Sequence, residues 1–312
     1  MRVWRQWPRA GQLKGGCALT IGAFDGVHRG HQFLIEAVRR AARERGLSSA
    51  ALTFEDVPFF YFKPAECARL LTLPHEKIRA FEPLGLAELL VVPFEASIAE
   101  QEAAAFVREV LVARLRLKYL LIGPDFALGR NRSGNAEALA ELGLEHGFEV
   151  EVLRDKLEFA GEAISSTRTR GCVEEGHLKT ARDLLGRPFE LEGRVVAGQQ
   201  LGRTIGVPTI NIEPHARKVL PAHGVYACRA FFDDEPSPRQ AALNIGMRPT
   251  VGGLRVQIEF HVLGEVIGQP PTLARLQVLE RLRDEKKFGS LDELVAQMKR
   301  DFGKAREILS RP

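Results

Sequence analysis

The sequence has few cysteines and no long apolar run. No apolar stretch among its 312 residues reaches the length of a membrane span, and the N-terminal segment MRVWRQWPRAGQLKGG lacks the apolar centre of a signal peptide. The four cysteines are far apart and form no CxxC pair, which argues against a zinc site and a disulfide framework. We therefore expect a cytoplasmic protein without a membrane partner, whose cysteines are small core residues.

The chain also has little excess of charge of one sign. The net charge is +4, and the lysines and arginines are dispersed among acidic residues rather than gathered in one run. This distribution does not call for a nucleic acid partner, and it suits phosphate-bearing small molecules equally well. With 45% hydrophobic and 27% charged residues, the chain is long enough for two globular domains that each bury a core.

The most informative stretch is TIGAFDGVHRGH, Thr20 to His31. A short apolar run precedes it and apolar residues at helical spacing follow it, so the pattern predicts a strand, a loop and a helix. Glycine lets the backbone pass close to phosphate oxygens, and a helix N-terminus presents N–H groups to negative charge. His28 lies three residues before His31, so both imidazoles can face one point. We predict that this point binds a nucleotide triphosphate.

A plainer interpretation of this stretch is a tight turn whose histidines cap the helix or pack beneath it. Two histidines spaced H-x-G-H, beside a candidate buried aspartate, favour a nucleotide site instead. We predict that His28 and His31 are catalytic. The predicted nucleotide-binding residues of the loop are Gly22, Phe24, Asp25, Gly26 and Gly30.

Strands and helices alternate after this loop. Alternation implies parallel strand pairing, right-handed crossovers and ligand binding at the carboxyl ends of the strands. The predicted strands span residues 18–21, 49–54, 89–92, 119–122 and 148–153, and the predicted helices span residues 76–84, 99–114 and 136–146.

An aromatic run, FFYFKP, extends from Phe59 to Pro64 after the second predicted strand. Its consecutive aromatic residues are too apolar for a solvated loop. They could form a lid over a flat ring or a plug in the core, since aromatic runs usually pack. The sequence leaves both interpretations open.

A glycine-rich loop, GPDFALGRNRSGN, follows the strand predicted to end at residue 122. Such a loop can be an ordinary connection between two elements. Because it follows a parallel strand, however, it is expected to open on the same sheet edge as the first loop. We predict that Asp125 and Phe126 contact a nucleotide or flavin there.

The stretch ISSTRTR places hydroxyl groups before a predicted helix and arginines within its first turns. Hydroxyls at a helix start can simply cap it. Hydroxyls and a planar guanidinium can also hold a departing pyrophosphate, which needs hydrogen-bond donors and fixed positive charge. The predicted nucleotide-binding residues here are Ser165, Ser166, Thr167 and Arg170.

The pattern changes near Gly186. Six short alternating runs replace the rhythm of helices and strands, which predicts antiparallel strands in a small barrel. A terminal helix over residues 290–309 opens with the capping pattern SLDE. We therefore predict a first domain over residues 1–185, of the α/β class with a parallel sheet, and a second β domain over residues 186–312.

A second candidate phosphate site lies in GRVVAGQQLGRTIGVPTIN, at the start of the predicted barrel. Glycine-rich turns are common in antiparallel proteins, so the loop alone is weak evidence for a phosphate site. The hydroxyl of Thr209 and the amide of Asn211, two residues apart after a proline, could both offer oxygen ligands to Mg²⁺. The predicted nucleotide-binding residues are Gly198, Gly202, Arg203, Gly206 and Pro208.

Phosphorylation of an alcohol needs a base near the hydroxyl, whereas an ionised phosphate nucleophile does not. In the run VQIEFHV, Glu259 and His261 alternate onto one face of a predicted strand. An exposed strand residue without a role is the plainer interpretation. We predict that Glu259 is the base of the second site.

Taken together, these motifs resemble the bifunctional riboflavin kinase/FAD synthetase family of prokaryotes. The form G-x-F-D-G-V-H-x-G-H is similar to the flavin-adenylylating branch of the nucleotidyltransferase superfamily, and S-S-T-x-x-R is similar to its second signature. The P-T-x-N core and the E-x-H strand resemble riboflavin kinase. The resemblance covers nearly the whole chain and includes two independent signatures.

The resemblance implies a Rossmann-like nucleotidyltransferase domain followed by a six-stranded antiparallel barrel with a terminal helix. The barrel would phosphorylate riboflavin with ATP and Mg²⁺ to give FMN, with Glu259 as base and with Thr209 and Asn211 near the metal. The first domain would adenylylate FMN to FAD and release pyrophosphate. Flavoproteins could then receive the FAD.

The segments NIGMRPTVGG and LRDEKKF also resemble family segments that border flavin and nucleotide. On that basis we predict Asn244 and Arg283 as flavin-binding residues, together with Phe126. Of these segments, Arg283 is the residue most favoured for phosphate, since a loop arginine can reach a phosphate group.

The chain departs from the family pattern at two places. A family segment T-F-x-P-H-P is here TFEDVP, without the histidine, and the connection after residue 263 is GEVIGQPP instead of D-x-D-L-Y-G. The first departure leaves open a riboflavin kinase whose N-terminal domain only binds nucleotide or flavin. Three further interpretations also stay open: a different nucleotidyltransferase, a fragment related to class I tRNA synthetases, and a flavin carrier without turnover.

Overall fold

The chain forms two compact units, Met1–Ser166 and Thr167–Pro312. The structure is a computed structural model, and each unit is described by itself. The described residues are 1–13, 15–55, 69–155, 157–198, 206–233, 235–250 and 253–311.

The first unit contains a six-stranded sheet in which every pair of neighbouring strands is parallel. This confirms the predicted pairing, and the strand order is β1-β4-β3-β2-β5-β6 once the strands are numbered along the chain. The strands are β1 Arg2–Trp4, β2 Cys17–Ile21, β3 Ser48–Phe54, β4 Glu88–Val92, β5 Leu117–Ile122 and β6 Glu149–Val152.

The central strands are largely apolar because both faces of the sheet are covered. All five residues of β2 are buried. Cys17, Leu19 and Ile21 belong to one core cluster, whereas Ala18 belongs to the cluster on the opposite face. The carboxyl end of β2 therefore emerges from a rigid, doubly packed core.

The helices of this unit begin and end near their predicted bounds, with one exception. They are α1 Arg29–Arg45, α2 Pro74–Phe81 with a 3₁₀ turn Glu82–Leu84, α3 Ala96–Ala99, α4 Ala103–Phe106 and α5 Ala136–His146. A π-helical turn, Val107–Val112, continues α4.

The helix predicted over residues 99–114 is present over residues 103–112, but its predicted start is wrong. The chain breaks between α3 and α4, where the carbonyl of Gln101 accepts a hydrogen bond from the N–H of Arg130 at 2.9 Å. Gly129 lies so close to Ala103 that a Cβ there would be 2.7 Å from the Ala103 nitrogen. The break thus follows from packing of a distant loop, which helical periodicity does not reveal.

The second unit is a closed antiparallel barrel with strand order β10-β13-β12-β11-β14-β9. Its six strands confirm the predicted barrel. They are β9 Phe189–Val196, β10 Ile210–Pro214, β11 Gly224–Phe232, β12 Arg239–Thr250, β13 Gly253–Val262 and β14 Leu273–Asp284. Before them in sequence is a two-stranded ribbon in the first unit, β7 Glu158–Phe159 and β8 Glu162–Ala163.

Three helices belong to the barrel unit: α6 Ser166–Glu174, α7 Leu178–Leu185 and α8 Leu291–Leu309. The first begins at the last residue of the other unit. The hydroxyl of Ser290 accepts a hydrogen bond from the Glu293 N–H at 3.3 Å, which confirms the predicted cap of the terminal helix. Among the described residues, no helix has the length and apolar character needed to span a membrane.

Candidate functional site

The loop from Gly22 to His28, which we call the phosphate loop, follows the carboxyl end of β2 and leads into α1. It turns sharply, because Phe24, Gly26 and Val27 all have positive φ angles, of 48°, 84° and 43°. The aromatic ring of Phe24 lies against the Gly22 backbone, where a Cβ would be 3.1 Å from the ring. Glycine at residue 22 is therefore required by close approach.

His28 and His31 lie together at the start of α1, as their spacing predicts. Their rings stack with centroids 3.6 Å apart and planes at 17°. The Nδ1 atom of His28 also accepts a hydrogen bond from the His31 N–H at 3.3 Å and so caps the helix. The capping and the shared orientation, which the sequence presents as alternatives, occur in the same structure.

Gly30 leaves room for this arrangement. A Cβ at residue 30 would lie 3.2 Å from the His28 ring. The edge of Phe24 packs against His31, with ring centroids 5.1 Å apart, and Phe24 is 1% exposed. Phe24, predicted to bind nucleotide, instead supports the histidines from the core.

Asp25 is turned inward as well. Its carboxylate accepts hydrogen bonds from the N–H groups of Leu71 and Thr72, at 3.2 and 3.0 Å. In return, the hydroxyl of Thr72 accepts a hydrogen bond from the Gly26 N–H at 3.0 Å. The predicted nucleotide contact of Asp25 is thus replaced by a brace between the phosphate loop and residues 71 and 72.

The ISSTRTR stretch meets the phosphate loop through Ser166. The Ser166 hydroxyl donates to the backbone carbonyl of Asp25 at 2.8 Å. Ser165 and Ser166 are half-buried at the end of the first unit, whereas Thr167 and Arg170 lie on α6 in the second unit, where Thr167 is exposed. Ser166 therefore connects the second predicted nucleotide motif to the phosphate loop within the first unit.

The glycine-rich loop after β5 is ordered by its own contacts. Leu128 pairs with Gly134 in an antiparallel bridge, and a guanidinium N–H of Arg132 donates to the Asp125 carbonyl at 2.8 Å. Asp125 is exposed, and Phe126 is half-buried against the sheet core. A ligand in solvent can therefore reach Asp125, whereas part of Phe126 serves packing.

The barrel site is built from side chains on paired strands. Asn211 of β10 lies opposite Glu259 of β13 in the strand register. The Thr209 hydroxyl donates to the Glu259 carboxylate at 3.2 Å. The structure thus brings together the hydroxyl, the amide and the carboxylate that the sequence assigns to metal and base.

Gln257 joins this group and is a residue that the sequence reasoning missed. Its side-chain amide donates to Asn211 Oδ1 at 2.8 Å and to Glu259 at 3.4 Å. The available signal was its position two residues before Glu259, because alternate residues of a strand share one face. Gln257 therefore links the predicted metal ligand to the predicted base.

The backbone around residues 198 and 208 encloses the same group. A Cβ at Gly198 would lie 2.1 Å from Asn211 Nδ2, so only glycine fits this position. Pro208 places its carbonyl 2.7 Å from His261 Nδ1, and the His261 ring stacks on Phe302 with centroids 4.8 Å apart. Gly206 is exposed, whereas the predicted residues Gly202 and Arg203 lie outside the described residues, as do Phe59–Pro64 and Cys67.

Asn244 and Arg283 flank the same position of the barrel, since both pair with Val225 from opposite sides. Arg283 was expected on a loop, but it lies in β14. Its Nε donates to the nearly buried carboxylate of Asp301 on α8 at 2.8 Å. An ion pair with the terminal helix therefore occupies one edge of the guanidinium that was predicted to meet phosphate.

Oxygen atoms dominate the candidate metal position. Among the described residues, no group of three or more His, Cys, Asp or Glu side chains could hold a metal ion. Mg²⁺ typically takes few protein oxygens and keeps waters and substrate phosphates, so the Thr209 hydroxyl and the Asn211 amide oxygen suit it. Burial raises the pKa of the Cys17 thiol to about 12 and raises that of Cys228, which confirms both as inert core residues.

Comparison with known proteins assigns both parts of the chain to protein families. The FAD synthetase family model matches residues 11–168, and the riboflavin kinase family model matches residues 185–309. A bifunctional riboflavin kinase/FMN adenylyltransferase of Escherichia coli (strain K12) is 40% identical over 294 residues, which are 94% of this chain and 93% of the relative. The chain belongs to the bifunctional riboflavin kinase/FMN adenylyltransferase family.

The family assignment extends over the whole length. The Haemophilus influenzae member is 38% identical over 316 residues and covers 99% of this chain and 100% of its own. The fold also matches the crystal structure of a protein named macrolide-efflux protein from Streptococcus pneumoniae, with a TM-score of 0.87, 28% identity and coverage of 98% and 99% of the two chains. Efflux, a word in that protein's name, is not transferred to this chain.

Membership in the bifunctional riboflavin kinase/FMN adenylyltransferase family confirms the predicted reactions. The C-terminal domain phosphorylates riboflavin to FMN, and the N-terminal domain adenylylates FMN to FAD. The enzyme uses ATP and Mg²⁺, with riboflavin, FMN and FAD as substrates and products. The flavin carrier and the tRNA synthetase fragment are thereby set aside.

Proposed function

We propose that each reaction uses its own set of residues, one set around the phosphate loop and one in the barrel. The observation that carries this proposal is that Thr209, just before β10, hydrogen-bonds to Glu259 of β13, while Gln257 links Asn211 of β10 to the same carboxylate. The hydroxyl of Thr209, the amide of Asn211 and the carboxylate of Glu259 are the chemistry that a kinase acting on an alcohol requires.

In the barrel, Glu259 accepts the proton of the ribityl 5′-hydroxyl of riboflavin as that oxygen attacks the terminal phosphate of ATP. ADP leaves and FMN forms. Thr209 and Asn211 would hold Mg²⁺, which offsets the charge of the ATP phosphates when it is bound. Gln257 orients both neighbours, because its amide hydrogen-bonds to Asn211 and to Glu259. Five residues would contact the ATP phosphates: Gly198, Gly202, Arg203, Gly206 and Pro208.

In the N-terminal domain, the phosphate of FMN attacks the α-phosphate of ATP and displaces pyrophosphate. The attacking phosphate is already ionised, so this step needs no base. His28 and His31 stabilise the negative charge that develops on the ATP phosphates. The backbone at Gly22, Gly26 and Gly30 lies against the phosphates, and the leaving pyrophosphate is held by Ser165, Ser166, Thr167 and Arg170.

The remaining predicted residues contact the substrates or support the phosphate loop. Asp125 contacts nucleotide, and Phe126, Asn244 and Arg283 contact flavin. Phe24 and Asp25 act beneath the phosphate loop, because both side chains are buried and Asp25 already binds two backbone N–H groups.

The metal assignment can be tested by titration of Mg²⁺ during riboflavin phosphorylation. Thr209→Val removes the hydroxyl and keeps the shape of the side chain, so we expect a higher half-saturating Mg²⁺ concentration for kinase activity. Thr272→Val is the matched control, since the Thr272 hydroxyl donates to Asp233, outside the group around Glu259. An unchanged Mg²⁺ requirement in Thr209→Val would remove this residue from the metal site.

We also propose that the functional boundary lies near Gly186, with domains over residues 1–185 and 186–312. The support is that the two family matches end at residue 168 and begin at residue 185. Helices α6 and α7 lie in the compact unit of the barrel, where Lys179 forms an ion pair with Glu280 at 2.9 Å. Hydrogen exchange of the full chain tests the boundary, because each helix should exchange with the domain to which it belongs.

The dispersed charge supports a protein of the cytoplasm that acts on small molecules, without a nucleic acid or membrane partner. Flavoproteins are the proposed recipients of the FAD. The proposed transfer of FAD to flavoproteins is tested by adding an apoflavoprotein to the enzyme and measuring the absorbance of the reconstituted flavoprotein.

A further inference from the structure

A buried lysine lies directly beneath the phosphate loop. Lys77, on α2, is 1% exposed. Its ammonium group donates to the carbonyl of Ala23 at 2.8 Å, to the carbonyl of Phe54 at 2.9 Å and to the hydroxyl of Thr53 at 3.2 Å. An ammonium has three N–H donors, and here three oxygens receive them. Burial of such a charge is costly unless it is hydrogen-bonded, so this geometry is specific.

The position of these contacts matters because the phosphate loop is strained. Phe24 and Val27 have positive φ angles of 48° and 43°, and a β-branched residue such as valine rarely adopts them. Such a backbone conformation is unfavourable and persists only where the surroundings determine it. Ala23 immediately precedes the first of these residues, and its carbonyl accepts from both Lys77 and Thr53.

Lys77 also ties the loop to the end of a neighbouring strand. Thr53 and Phe54 are the last residues of β3, which pairs with β2. On the other side of the loop, Asp25 binds the N–H groups of Leu71 and Thr72. The phosphate loop is therefore held at its beginning by an ammonium and at its middle by a carboxylate, both buried.

Packing alone does not call for a lysine at this position. A methionine has a similar unbranched stem and would fill most of the same volume without a charge to bury. What it would lack is the set of hydrogen bonds that fixes the direction of the Ala23 carbonyl. The lysine is thus explained by the loop that it holds.

We propose that Lys77 is a positioning residue for adenylyl transfer. It does not touch ATP; it fixes the Ala23 carbonyl and through it the course of the backbone to His28. The inference rests on the proposed role of the phosphate loop in binding ATP phosphates. Small displacements of positioned groups lower the reaction rate strongly, since a shift of about 1 Å can reduce the rate by about 100-fold.

The test is Lys77→Met in the full-length enzyme, with FMN and ATP as substrates for the first domain. We expect kcat for FAD formation to fall by about 10- to 100-fold, with a smaller change in the KM for ATP. Riboflavin phosphorylation by the same chain is the internal control and should not change. Circular dichroism and thermal unfolding establish that the first domain is folded at the assay temperature.

A matched variant separates positioning from general loss of stability. Leu139, on α5, is fully buried and belongs to the core cluster on the sheet face opposite Phe24 and Val27. Leu139→Ala should lower the midpoint of thermal unfolding and leave kcat for FAD formation unchanged below the unfolding transition. If Lys77→Met behaves like Leu139→Ala, the lysine is structural only and the inference is overturned.

A double-mutant cycle sharpens the test and does not depend on Lys77→Met alone. Thr53→Val removes the second hydrogen bond to the Ala23 carbonyl and keeps the side-chain shape. Because Thr53 and Lys77 share that carbonyl, their effects on kcat should be strongly non-additive, whereas Lys77→Met and Leu139→Ala should be additive. If Lys77→Met does not fold, a fall in kcat in Thr53→Val alone supports the inference, and an unchanged kcat refutes it.

His28→Ala, assayed in parallel, distinguishes failure of the proposed role of the phosphate loop from failure of the proposed role of Lys77. If His28→Ala and Lys77→Met both leave FAD formation intact, the proposed role of the phosphate loop fails and the inference fails with it. If His28→Ala lowers kcat for FAD formation while Lys77→Met leaves it unchanged, the loop assignment stands and only the role of Lys77 is refuted.

Discussion

The two sites of this enzyme are built in different ways. The site in the first unit is a backbone loop at the end of a parallel strand, and its shape is held by buried contacts with other segments, which are made by its own Asp25 and by Lys77 of α2. The site in the barrel consists of side chains on adjacent antiparallel strands, with Asn211 opposite Glu259. One site depends on what supports the loop, and the other depends on strand register.

This difference predicts different responses to substitution. In the barrel, the chemistry lies in a few side chains, so single changes should remove activity without loss of fold. In the first unit, changes beneath the phosphate loop should lower activity and stability together. Because the two reactions occur in one chain, each reaction is a control for the other.

The largest expected effect is that of Glu259→Gln, which removes the proposed base and keeps its size. We expect riboflavin phosphorylation to fall by about 10²- to 10⁴-fold, the usual contribution of a general base. Formation of FAD from supplied FMN should continue at the normal rate. A chromatographic time course from riboflavin, beside one started from FMN, measures both reactions.

Glu213→Gln is the control for that variant, since Glu213 is an exposed glutamate on the neighbouring strand β10. It should phosphorylate riboflavin normally. A Glu259→Gln enzyme with an unchanged kinase rate would remove the proposed base.

His28→Ala should have the next largest effect, on the other reaction. Loss of one group that stabilises developing charge lowers rates by about 10²- to 10³-fold, so FAD formation should fall by that factor while the kinase is unaffected. Since His28 also caps α1, the alanine variant should lose about 1 kcal/mol of stability.

The His28→Asn variant separates these two roles. Asparagine is a good N-cap and should restore stability without restoring FAD formation. His146→Ala, at the end of α5, is a histidine control that should change neither. Recovery of FAD formation in His28→Asn would show that capping, and not charge, is the contribution of His28.

A smaller effect is expected from Gly198→Ala. The new Cβ would lie 2.1 Å from the Asn211 side chain, which is buried and cannot move away easily. Displacement of this ligand should lower kinase kcat/KM for MgATP by about 10- to 100-fold. Steady-state kinetics with varied MgATP measure the effect.

Gly246→Ala is the matched control within the barrel. A Cβ at residue 246 would meet the end of Glu285, at 2.4 Å, but that side chain is exposed and can swing away. Its kinase activity should remain normal. Equal losses in the two glycine variants would mean that Asn211 is not the reason for the loss in Gly198→Ala.

The smallest effect on activity, and a direct comparison of the two units, comes from alkaline pH. Burial raises the pKa of Cys17 from 9.0 to about 12 in the first unit, and of Tyr226 from 10.0 to about 12 in the barrel. Above the unfolded pKa the native state retains a proton that the unfolded state loses, so stability falls as pH rises. The loss should begin near pH 9 in both units, because burial also raises the pKa of the Cys228 thiol in the barrel from 9.0, and Tyr226 should add to the loss in the barrel above pH 10.

Thermal unfolding of the full chain across this pH range, with probes in each unit, measures the loss of stability in each unit. Tyr226→Phe should flatten the pH dependence of the barrel, and Cys17→Ala should flatten that of the first unit. If neither variant alters the slope at high pH, groups other than these two determine alkaline unfolding.

Much of the fold could be predicted because its signals are local. The helix over residues 136–146 and the six barrel strands follow from periodicity, and the structure confirms them. The break between α3 and α4 could not be predicted, because it is caused by contacts with Gly129 and Arg130. Short strands such as β1 and β7 carry too few residues for a periodic signal.

The candidate sites also divide into residues that local motifs reveal and residues that only contacts between distant segments reveal. H-x-G-H, P-T-x-N and E-x-H are recognisable because their residues lie within a few positions of one another. Gln257 was recoverable from strand alternation. Lys77 was not, since it lies 54 residues from Ala23 in sequence, and only the packing of α2 brings the two together.

The sequence by itself determined the parallel and antiparallel parts of the fold and the two reactions, and it supplied the candidate side chains, because short motifs and periodic patterns lie in nearby residues. Only the tertiary structure decided which of those side chains face inward, as Asp25 and Phe24 do, and that Arg283 is paired with Asp301. The physical reason is that burial and hydrogen-bond partners depend on contacts between segments far apart in the chain, and local patterns do not specify them.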